Sequence, residues 1–71
     1  MVLSFEYKDK ELEIYCDQEG LQVLQKSINH LMVKGGHEHL MTPSWAGNEL
    51  TEEKFGENTT LVNHVCIMVK G

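Results

Sequence analysis

Arginine does not occur in this 71-residue sequence, and its absence narrows the field more than the net charge of −5 does. The guanidinium fork grips phosphates and guanine edges through paired hydrogen bonds. A chain whose only formal cations are six lysines is therefore poorly equipped to bind nucleic acid. Cysteine is nearly as scarce. Cys16 and Cys66 are too few for the disulfide framework that staples small secreted domains, so both are expected to be structural thiols. No apolar run is long enough to span a membrane. Residues Met1 to Glu6 lack both a basic n-region and a long apolar h-region, which makes the cytoplasm the expected address. Gly-rich phosphate loops, a His-Glu-x-x-His helix and a nucleophile elbow are all missing, so no cofactor and no enzymatic activity are expected.

What is present suits a binding module. The length allows one domain, 1–71, around one core, and the apolar fraction of 41% is ordinary for a globular chain. Eleven acidic residues favour a basic protein partner by long-range attraction, or serve only to keep a small protein soluble.

The hydrophobic pattern divides the chain into five elements. Val2 to Tyr7 alternates, with Leu3, Phe5 and Tyr7 on one face and Ser4 and Glu6 on the other. Glu11 to Cys16 alternates again after a short polar break, which reads as a β-hairpin. Asp17 stands at a helix N-cap, and Leu21, Leu24, Ile28, Leu31 and Met32 follow at helical spacing until Gly35-Gly36. Leu24, Ile28 and Leu31 are the expected contacts with the sheet. His37 to Met41 reads as a short strand, residues 42–60 as a long irregular stretch, and 61–70 as the most apolar strand. The expected fold is α+β, in the order ββαββ. One four-stranded, mainly antiparallel sheet, with strands in the order 1-2-4-3, carries the single helix on one face.

Two groups of residues carry chemical interest. Period-two alternation puts His37, His39 and Met41 on one face of the third strand, and His64, Cys66 and Met68 on one face of the fourth. If the strands pair, His37, His39 and His64 could form a zinc or copper site, which gives a small metal-binding protein as the alternative reading. The simpler account is a histidine-covered outer face. Cys66 and His64 are about 6–7 Å apart along a strand, too far for direct proton transfer. The second group is the loop Thr42-Pro43-Ser44-Trp45-Ala46-Gly47-Asn48-Glu49-Leu50. Irregular connections longer than about 12–15 residues are uncommon unless they work or are disordered. Trp45 either folds back as a lid on the small core, the simpler expectation, or stands out as an interface anchor beside Glu49, Glu52 and Glu53.

The segment Gly35-Gly36-His37-Glu38-His39-Leu40, then Ser44-Trp45-Ala46-Gly47-Asn48-Glu49-Leu50, then His64 in a terminal apolar strand, resembles the Immunity protein 32 family. The resemblance spans the chain in length and element order and is specific in residues 35–50. The family's Trp-Gly-Gly is Trp45-Ala46-Gly47 here. It implies a bacterial antidote of polymorphic toxin systems that binds and neutralises a cognate toxin in the producing cell; the acidic, aromatic surface, not the resemblance, suggests a basic toxin such as a nuclease. On that reading the partner-binding residues are Trp45, Asn48, Glu49, Glu52, His37 and His39.

Overall fold

The computed structural model describes all 71 residues. Strands β1 (Leu3–Lys8) and β2 (Glu11–Cys16) form the expected antiparallel hairpin, with Leu3 opposite Cys16 and Lys8 opposite Glu11. Asp9 turns the corner at φ 57, a left-handed conformation that a short polar side chain tolerates. Helix α1 (Gln18–Lys34) begins where the Asp17 carboxylate accepts the Gly20 N–H at 2.8 Å. It ends where the Gly35 N–H donates to the Leu31 carbonyl. Strand β3 (His37–Met41) follows, then a 3-10 turn at Pro43–Trp45, then β4 (Thr60–Leu61) and β5 (His64–Met68).

The sheet arrangement differs from the expected one. There are two sheets, β2-β1-β4 and β3-β5, both antiparallel, in place of a single four-stranded sheet in the order 1-2-4-3. The expected last strand is cut in two at Val62–Asn63. Its first part pairs with β1 and its second with β3, so one stretch of chain joins the two sheets. Asn63 makes the break. Its carbonyl accepts the Thr42 N–H at 3.0 Å, and its Oδ1 lies 2.7 Å from the Thr42 hydroxyl, which is fully buried.

The central strand of the larger sheet is β1, paired with β2 on one edge and β4 on the other, and it is covered on both faces. Leu3 and Phe5 point under α1 into a cluster with Leu40 and Leu50, edged by Cys16, Val23, Leu24 and Val65. Ser4 and Glu6, expected on an open face, are fully buried beneath residues 52–59. Glu6 is the anchor of that cover. Its carboxylate accepts the Ser4 and Thr59 hydroxyls and the Phe55 and Gly56 N–H groups, all at 2.6–2.9 Å. Burial alone would push this carboxyl up. The Thr59 hydroxyl, the Phe55 N–H and the other two donors outweigh it and bring it down to about 2. Tyr15 lies 5.9 Å from Phe55, centroid to centroid, at the margin of the same cover.

The face α1 presents to the sheet is also rotated from the expected one. Gly20, Ser27 and Leu31 are its buried residues, with Val23 and Leu24 half-buried beside them. Ile28, expected at the centre of the contact, is 43% exposed. Gly20 shows why. A Cβ there would lie 1.7 Å from the Val2 carbonyl oxygen, so the helix approaches the start of β1 more closely at Gly20 than any side chain allows.

Candidate functional site

The β3-β5 ribbon has an inner and an outer face. Leu40, Val65 and Ile67 point inward to the core. By strand parity His37, His39 and Met41 point outward, with Met68, Cys66 and His64 directly across from them. Cys66 therefore sits opposite His39 on the outer face and Cys16 packs against the core; both thiols are free.

On that outer face the aromatic rings form a continuous row. His37 meets His39 edge-on with centroids 4.9 Å apart, and His39 lies 4.9 Å from His64. Trp45 extends the row, its ring 5.8 Å from His64. His39 Nδ1 and His64 Nε2 are 2.7 Å apart and hydrogen-bonded. Trp45 is 53% exposed and so is an outward-facing ring, not the core lid that was the simpler expectation.

His37, His39 and His64 do come together, His37 edge-on to His39 and His39 hydrogen-bonded to His64. No group of three or more His, Cys, Asp or Glu side chains is placed to hold a metal ion.

The loop beside the row is held by its own acids. Glu49 Oε1 accepts the Met41 N–H at 3.0 Å, closing the end of β3. Glu52 accepts the Ser44 N–H and so braces the 3-10 turn that carries Trp45; these Ser44 contacts hold its carboxyl below the usual range. Ala46 sits at φ 65, and a Cβ at Gly47 would lie 2.4 Å from the Met41 carbonyl oxygen, so the Trp45-Ala46-Gly47 turn folds tightly onto β3. The Leu50 N–H donates to Met41 and the Thr51 N–H to Leu3, tying the loop to both sheets. Of the six residues singled out in the sequence, Trp45, His37 and His39 thus share one surface. Glu49 and Glu52 stand behind it as braces.

Asn48 lies on another flank. It and Glu49 line an open groove of about 510 Å³ between α1 and β3, with Ser27, His30 and Glu38. His30 Nδ1 bonds Glu38 Oε2 at 3.0 Å across its floor. The sequence places His64 on the outer face with Cys66, as a metal ligand or as simple cover, without counting it among the partner-binding residues. One participant escapes it altogether. Glu6 looked like a solvent-facing residue of an alternating strand, and nothing local signals that a distant Gly56–Thr59 segment covers it.

No helix is long and apolar enough to cross a membrane. The family model described as Immunity protein 32 matches residues 11–65, more than half of the chain. No curated protein and no solved structure matches it.

Proposed function

Since the chain belongs to the Immunity protein 32 family, we propose that it is a non-enzymatic antidote that binds a cognate bacterial toxin in the cytoplasm of the producing cell. The observation that carries the site assignment is the exposed row Trp45–His64–His39–His37 on the outer face of the β3-β5 ribbon. Rigid aromatic side chains bury much area for little conformational entropy, and Trp is enriched among residues that dominate binding energy. The row is preorganised by the β3-β5 register and by the Glu52 brace under Trp45, so little ordering remains to be done on association. A basic toxin fits the acidic balance of the whole chain.

Co-expression with its cognate toxin should restore growth, and the purified pair should form a complex. Trp45→Ala and His39→Ala are expected to weaken that complex by about 2 kcal/mol or more each, roughly thirtyfold in Kd, while leaving the melting temperature nearly unchanged. Full protection and unchanged affinity in both variants would move the site elsewhere on the molecule.

A further inference from the structure

Strand β3 belongs to a sheet of two strands, so one of its edges has no neighbouring strand. Opposite residues of an antiparallel pair alternate between exchanging two backbone hydrogen bonds and exchanging none. The Val69 N–H donates to the Gly36 carbonyl and the Thr42 N–H to the Asn63 carbonyl, so Gly36, Glu38, Leu40 and Thr42 are the bonded positions. His37, His39 and Met41 therefore turn their N–H and C=O groups away from β5. At Met41 both groups are taken, the N–H by Glu49 Oε1 and the carbonyl by the Leu50 N–H. At His37 and His39 all four groups are left without a partner in the chain. The groove between α1 and β3 adjoins this edge, because Glu49 both lines the groove and caps the edge at Met41.

We infer that an extended segment of the toxin adds a strand to this edge, paired with the backbone of His37 and His39 and carrying a lysine or arginine opposite Glu38. The inference rests on the proposed antidote function and names how the partner is held. Such an added strand gains affinity from main-chain hydrogen bonds and specificity from its alternate side chains. The loop already fills the place beside Met41, so the segment stops there. On the outer face its side chains lie beside His37 and His39, so one segment reaches both the edge and the aromatic row.

Charge selects the occupant. When two copies of this chain pair so as to satisfy all four groups, His37 lies opposite His39, and Glu38 meets the Glu38 of the other copy. That is the non-bonded position, where facing side chains come closest, and two carboxylates there repel. The edge thus bars its own kind and draws a cation. One oxygen of Glu38 bonds His30 and one of Glu49 takes the Met41 N–H, which leaves each acid a second oxygen for a basic side chain. Against these two acids the groove sets a single ammonium, Lys26.

Amide hydrogen exchange followed by NMR tests this, on the isotope-labelled chain alone and in its purified complex with the cognate toxin. In the free chain the His37 and His39 amides are expected to exchange nearly as fast as in an unstructured peptide, while β5 protects Glu38 and Leu40. In the complex both histidine amides should slow by about a hundredfold or more. Glu38→Lys, with unchanged circular dichroism, is expected to weaken the complex about tenfold or more. A complex that Trp45→Ala weakens, but in which His37 and His39 exchange at their free rates, would keep the antidote reading and overturn the strand addition. Protection of both amides in the free chain would show the edge already filled and overturn it as well. Full affinity in Glu38→Lys would do the same. Failure to form any complex would sink the antidote reading, and the strand addition with it.

Discussion

Glu6 accepts four hydrogen bonds from β1 and its covering loop, and no isostere can replace it. Each carboxylate oxygen takes one hydroxyl and one backbone N–H: Oε1 from Thr59 and Gly56, Oε2 from Ser4 and Phe55. Hydroxyls can turn to accept, but backbone N–H groups cannot. In Glu6→Gln the amide NH2 therefore meets a backbone donor whichever way it is placed, and a loss of about 2–4 kcal/mol is expected. The same chemistry sets the response to acid. With its carboxyl held at about 2 in the folded protein against an ordinary 4.5, Glu6 favours folding fully above pH 4.5. That contribution is lost as the pH falls from 4.5 toward 2. Urea titrations across this window should show stability falling steeply in the native sequence and less steeply in Glu6→Gln. Parallel acid profiles would mean that Glu6 is not the group that titrates.

For whole elements, the helix offers the clearest conflict between local preference and packing. Propensity alone predicts that Gly20→Ala stabilises α1 by about 1 kcal/mol. A Cβ there would meet the Val2 carbonyl at 1.7 Å, a backbone atom that cannot swing aside, so the expected outcome has the opposite sign. Thermal melts decide it; a higher melting temperature for Gly20→Ala would show that the helix can lift from β1 freely. This conflict also explains what the sequence reveals. Helix limits were legible because Asp17 and Gly35 are local signals acting on their own neighbours. The hairpin and the outward parity of His37, His39, His64 and Cys66 were legible for the same reason. The buried side of α1 was not, because Gly20 holds its place by having no side chain, which hydrophobic spacing does not register. Nor was the split of the last strand, since Asn63 breaks the ladder only through a partner, Thr42, that lies 21 residues earlier.

Across the whole molecule, charge and contact are carried by different parts, and they should separate kinetically. The net charge of −5 is spread over the surface, while the Trp45 row and its imidazoles bear no formal negative charge. Glu49 and Glu52, the acids of the loop beside that row, have their carboxylates engaged with backbone N–H groups, and Glu38, between His37 and His39, bonds His30 on the other side of β3. On the proposed function, attraction to a basic toxin is a property of the chain's field, which acts before contact and is screened by salt. Burial of the aromatic row acts after contact and is not. Raising ionic strength from about 0.05 to 0.5 M shortens the screening length about threefold, and the association rate should fall by roughly tenfold or more with little change in dissociation. Trp45→Ala should do the reverse, speeding dissociation while leaving the salt dependence of association intact. Stopped-flow association and surface-plasmon dissociation measured on the same pair resolve the two. If Trp45→Ala slows association and leaves dissociation untouched, the row guides encounter without being buried, and the toxin contact lies on another face.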